Sequence, residues 1–72
     1  MGNKVLASLE NSYGDHCVDI FVRADGSFGF EEYRRDPEDG AWRDLHRYSS
    51  RVFNSEQDAI AGAKAYIPWL KS

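Results

Sequence analysis

HCVDIFVRADGSFGFEEYRR, residues 16–35, is the stretch whose reading decides the fold. Asp25-Gly26 lies between two runs of β-branched and aromatic residues, a strong short-range signal for a β-hairpin, because Asp and Gly tolerate the positive φ of a tight turn. Val18, Ile20, Phe21 and Val22 on one arm, and Phe28, Phe30 and Tyr33 on the other, suit a pleated surface. A two-residue loop at Asp25-Gly26 sets Ala24 opposite Ser27, Phe21 opposite Phe30, Ile20 opposite Glu31 and Val18 opposite Tyr33. Side chains alternate across a sheet, so this register defines two faces. One carries Val18, Ile20, Val22 and Tyr33. The other carries Cys17, Phe21, Phe28 and Phe30 among Asp19, Arg23, Glu32 and Arg34. A sheet with one wet face alternates more cleanly than this. The second face therefore asks for a cover.

Downstream, Asp36-Pro37-Glu38-Asp39-Gly40 has turn chemistry, with proline presetting φ and glycine supplying the positive φ at the end. Residues 41–48 read as a third strand, antiparallel to the second. Two registers compete. Pairing Tyr33 with Trp42 sets Glu32 against Arg43, whereas pairing Arg34 with Trp42 sets Glu32 against Asp44. Like charges directly opposite are unfavourable, which favours the first. After a loop at 49–51, Ser55 is an N-cap with Asp58 three residues on, an approximation to a capping box. Glu56 and Asp58 suit the positive end of a helix dipole. Ala59, Ala63, Tyr66 and Leu70, with Ile60 and Ile67, make one apolar helical stripe. Pro68 ends the helix near Tyr66, and Trp69 and Leu70 fold back onto the end of the sheet. Gly29 is expected to let the helix or Trp69 approach the sheet.

Upstream, residues 1–15 are a partly ordered segment or a short strand, with Val5, Leu6 and Leu9 as a candidate cover for the second face. Residues 16–72 make a single βββα domain. The expected fold is α+β in two layers: a three-stranded antiparallel sheet with one C-terminal helix packed on the Val18–Ile20–Val22 face.

The chain has 72 residues, a net charge of −3 and one cysteine. A domain this small buries roughly 60% of its unfolded surface, so its core is modest. The charge speaks against a nucleic-acid binder. A lone cysteine forms no internal disulfide and fits a reducing cytoplasm. No basic-plus-apolar leader or bilayer-length apolar run is present in the sequence.

The run 17–40, CVDIFVRADGSFGFEEYRRDPEDG, with its core at Phe21, Asp25, Gly26 and Phe28 through Asp36, resembles a group of small uncharacterised bacterial proteins of unknown function. The closing stretch 63–70 adds to the resemblance. It implies a bacterial origin. It carries over no activity, cofactor or catalytic residue.

The ingredients for catalysis are poor. Cys17 and His16 are strand neighbours and point to opposite faces, so they cannot form a nucleophile–base pair. Glu31 and Glu32 face apart for the same reason. Two histidines and one cysteine have no zinc-type spacing, and the turn 36–39 lacks the spaced oxygens of a calcium loop. No cofactor or metal is expected. Arg34, Arg35, Arg43, Arg47 and Arg51 interleave with aromatics, the mixture that stacks single-stranded nucleic acid. Six carboxylates in the same stretch oppose that reading. The preferred expectation is a non-enzymatic protein-interaction module, as a homodimer or with another protein and without a membrane role. Its contact residues would be Phe21, Phe28, Phe30, Arg34, Arg43 and Arg47.

Overall fold

A one-residue shift in the hairpin reorganises the expected faces. The computed structural model describes residues 3–70. The outermost residues of the two expected segments, 1–2 and 71–72, lie outside the described residues. Strands β2 (His16–Val22) and β3 (Phe28–Arg35) pair antiparallel with Ile20 opposite Phe30, Val18 opposite Glu32 and Cys17 opposite Tyr33. The expected pairs Phe21–Phe30 and Val18–Tyr33 are therefore displaced. The loop is the cause. It holds three residues, with Arg23 N–H donating to the Ser27 carbonyl at 2.8 Å and Gly26 N–H to the Arg23 carbonyl at 2.9 Å. Gly26 has φ +88°, the left-handed residue that closes a three-residue hairpin. Asp25 braces the loop by accepting from both the Ser27 amide and hydroxyl.

The sheet has four strands, not three, in the order β1-β2-β3-β4, all neighbours antiparallel. The additional strand is β1 (Lys4–Glu10), which pairs along the outer edge of β2. It extends the sheet sideways and does not lie across the second face. Val5 is 52% exposed and Leu6 is exposed too, so they seal nothing. A bulge between Val5 and Ala7 breaks the two-residue alternation of this strand, which is why its apolar pattern leaves a short strand as only one of the alternatives for the segment.

At the other edge, β4 (Trp42–Asp44) is only three residues long. Its register is neither of the two anticipated: Tyr33 faces Asp44, Arg34 faces Arg43 and Arg35 faces Trp42. The expected strand over 41–48 stops early because the chain turns away. His46 adopts the left-handed region at φ 54°, and its amide donates to the Asp44 carboxylate at 2.7 Å. Beyond it the chain returns beside β3, where Phe28 and Phe53 exchange two backbone hydrogen bonds of 2.9 Å.

Helix α1 (Glu56–Tyr66) begins at Ser55, whose hydroxyl accepts from the Asp58 amide at 3.1 Å. It ends where Ile67 becomes extended ahead of Pro68, and a single 3-10 turn, Pro68–Leu70, follows. The helix rests on β2 and β3. Val18, Ile20, Phe30, Ala59, Ala63 and Ile67 are the fully enclosed core. The two alanines let the helix backbone approach the strands. Each large apolar side chain buried here contributes about 1.5–3 kcal/mol. The molecule is a slab whose shortest Cα dimension is 18 Å, enough for one sheet and one helix. Among the described residues, no layer lies over the other face of the sheet.

Candidate functional site

The corrected register separates the six expected contact residues into three places. Phe30 is 0% exposed beneath the helix, where its ring meets Tyr48, Phe53 and Tyr66 at centroid distances of 5.1, 5.7 and 6.5 Å. Phe28 lies on the same face, packed against that core. Phe21 is on the opposite face. Arg34 and Arg43 are paired across β3 and β4 at one end of the helix side, and Arg47 reaches that side at Glu32. So the three phenylalanines do not form one surface, and the arginines do not interleave with them.

That arginine end is tied internally. Arg43 Nη2 lies 3.0 Å from Asp39 and 3.4 Å from Asp36 across the turn between β3 and β4. Arg47 approaches Glu32 Oε1 at 3.6 Å. Glu32 Oε2 also accepts from the Trp69 indole N–H at 2.9 Å and lies 3.2 Å from His16 Nδ1. This carboxylate, nearly buried, docks the 3-10 turn onto the end of the sheet. Three groups already surround it, an arrangement suited to anchoring.

Glu31, its neighbour, points to the other side of β3 and curls to the strand edge. It is buried, and it accepts from the backbone amides of Glu32, Arg47, Tyr48 and Ser49 at 2.8–3.1 Å. Burial disfavours its charged form. The four amides together outweigh that and hold its carboxyl below the usual range. Glu31 thereby pins the returning loop to β3. Neither buried glutamate was expected from sequence, because apart from the Glu32 amide beside Glu31 their partners lie 15 or more positions away along the chain.

The open face is built differently. Strand alternation places Ser8 and Glu10 of β1, Cys17, Asp19 and Phe21 of β2, Tyr33 of β3, and Trp42 and Asp44 of β4 on it. Across the four strands, Glu10, Cys17, Tyr33 and Asp44 fall in one register row. Phe21 is 5% exposed although no layer covers it. Its ring runs over Gly29, where a Cβ would sit 2.9 Å from Phe21 Cε1. The ring that needs Gly29 is therefore Phe21, not the helix or Trp69. Over Phe21 lies the Arg23 guanidinium, 5.0 Å from the ring centroid. Arg23 donates to the Ser27 hydroxyl and to the carbonyls of Phe28, Ser49 and Arg51 at 2.6–3.2 Å. It acts as a lid over the hairpin end of this face.

The other half of the face has no lid. Ser8, Glu10, Cys17, Asp19, Tyr33 and Trp42 line a shallow depression of about 320 Å³. Ser8 donates to Asp19 at 2.7 Å, and the Arg35 guanidinium lies 4.8 Å from the Trp42 ring. Burial pushes the Cys17 thiol up to about 11, with Asp19 and Glu10 adding to the shift, so this cysteine is a neutral, unreactive thiol at pH 7. Burial, then Asp44 and Asp19, also raise the Tyr33 phenol. Sequence reasoning sets Tyr33 opposite Trp42 through a register that the structure does not have, and it does not bring Glu10 and Asp19 to them. A three-residue loop at Asp25-Gly26 was the signal that puts Tyr33 beside Cys17.

Among the described residues, no group of three or more His, Cys, Asp or Glu side chains is placed to hold a metal ion. No described helix is long and apolar enough to cross a membrane. Comparison with protein-family models, curated proteins and solved structures returned no match.

Proposed function

We propose that this protein is a non-enzymatic interaction module whose contact surface is the open sheet face centred on Tyr33 and Trp42. The observation that carries this reading is the uncovered half of that face. An aromatic pair is left at a shallow depression there, while the rest of the face is closed by Arg23. Aromatic side chains in a polar rim are the composition of protein contact surfaces. The residues differ from the expected set: Phe30 is core, and Phe21 is already capped. The lone buried thiol and the resemblance to small bacterial proteins support a bacterial, cytoplasmic setting.

Single-stranded nucleic acid is the weaker reading. Arg23, Arg35 and Arg51 stack on the protein's own rings, and Arg43 and Arg47 approach its own carboxylates. A phosphate backbone would have to displace those contacts.

Photo-crosslinking tests the proposal. A benzophenone amino acid replacing Tyr33 is expected to give a discrete protein adduct in cells. The same group at Gln57, on the outer side of the helix, is expected to give none. Equal adducts from both positions would overturn the assignment of the surface. Light scattering would separate a homodimer from a complex with another protein.

A further inference from the structure

We infer that the depression on the open face receives an arginine or lysine side chain from a basic segment of a partner protein. The inference rests on the reading of that face as a contact surface and names the chemistry of the partner. Three features support it. First, the lining combines two carboxylates, Glu10 and Asp19, with two aromatic rings, Tyr33 and Trp42. A cation on an alkyl stem uses both: the rings attract it through their π faces and the carboxylates accept its N–H groups. Among the described residues no cation is paired with Glu10 or Asp19, and only one oxygen of Asp19 is taken, by Ser8. Second, guanidinium chemistry suits this face: the protein's own Arg35 lies over Trp42 at 4.8 Å, a contact that an incoming guanidinium exchanges for its own while Tyr33 is unoccupied. Third, carboxylates outnumber cations around the depression. Beyond the effect of burial, Asp19 and Glu10, opposed by Arg35, work against ionisation of the Cys17 thiol, and Asp44, Asp19 and Glu31 work against that of the Tyr33 phenol.

Charge complementarity also selects the occupant. A second copy docked face to face would add its own Glu10 and Asp19 to the contact and no cation beyond Arg35, which already lies on Trp42. The net charge of −3 opposes self-association in the same direction. An anionic partner such as nucleic acid meets the same repulsion. A basic protein segment is attracted by Glu10 and Asp19, against the local opposition of Arg35, and is steered at long range by the net charge of −3.

The test uses a hexa-arginine amide peptide and the full chain, followed by amide and indole NMR shifts. The expected result is saturable binding, with shifts concentrated at Glu10, Cys17, Asp19, Tyr33 and the Trp42 indole. Affinity should fall about tenfold in the double variant Glu10→Gln, Asp19→Asn, two replacements on the solvent side of the sheet that keep hydrogen-bonding capacity. Shifts confined to the acidic turn at Asp36 and Asp39, or affinity unchanged in the double variant, would overturn the inference. Tyr33→Leu serves as a second variant: it should weaken binding with both carboxylates intact, and unaltered affinity counts against the site. If the benzophenone at Tyr33 crosslinks a partner while the peptide fails to bind here, the contact surface stands and the basic partner falls. If neither occurs, both fall.

Discussion

The two sides of this sheet protect aromatic rings by different means. On the helix side the rings shield one another. Phe30 is enclosed by Tyr48, Phe53 and Tyr66 under the alanine-lined helix. On the open side two of the three large rings are matched to a guanidinium, Phe21 to Arg23 and Trp42 to Arg35, and Tyr33 is not. The first arrangement needs a second layer. The second needs only one long side chain with fixed hydrogen bonds, because the arginine stem and planar head cover apolar surface while remaining wet at the rim. A buried aromatic on an uncovered sheet face is thus no proof of a missing partner. What marks a contact surface here is the place where that covering stops.

The comparison can be broken most severely from the helix side. Phe30→Ala empties the centre of the core and should cost about 3–5 kcal/mol, read by urea denaturation. A 72-residue domain has a total stability of about 4–11 kcal/mol, so much of the population would unfold. Next in size, Glu31→Gln should destabilise by about 2 kcal/mol, because one of the two carboxylate oxygens becomes an amide that cannot accept from the loop amides. Its pH dependence is specific. The folded carboxyl is lowered relative to the unfolded value of about 4.3, so its contribution is complete above that value. It is lost as pH falls through the folded value. The gap between wild type and Glu31→Gln should therefore be constant near neutrality and narrow in acid, measured by chemical denaturation at several pH values.

Smaller effects sharpen the other half. Arg23→Met keeps an apolar stem over Phe21 and removes the hydrogen bonds to Ser49 and Arg51, and should cost about 1 kcal/mol. Hydrogen exchange should then quicken in the loop around Ser49 more than in the helix. Trp42→Ala, at the unlidded half, should change stability by less than about 0.5 kcal/mol in the same denaturation assay. A loss as large as that of Phe30→Ala would mean that the two faces are equally structural.

Much of this architecture was legible in the chain. The hairpin, the acidic turn, the Ser55 cap and the stop at Pro68 rest on local chemistry and were read from local residues. The side of β2 under the helix also followed from the alternation of Val18, Ile20 and Val22. The partners of β3 did not. One additional loop residue moves Phe28 and Phe30 from the open face to the core, since the side-chain period of a strand is two. The first strand was obscured by its bulge. The two glutamates look like solvated strand positions until the loop after β4 is folded against them. Those features depend on contacts between distant residues, which a linear pattern does not encode. The open-face depression inherits the same difficulty, since its lining comes from all four strands.

The Trp69 hydrogen bond to Glu32 has a practical corollary. The chain contains two indoles, and the fold assigns one to each side of the sheet. Intrinsic emission is therefore a two-channel reporter. Trp42 registers occupancy of the outer surface, and Trp69 registers detachment of the terminal turn, with no added dye.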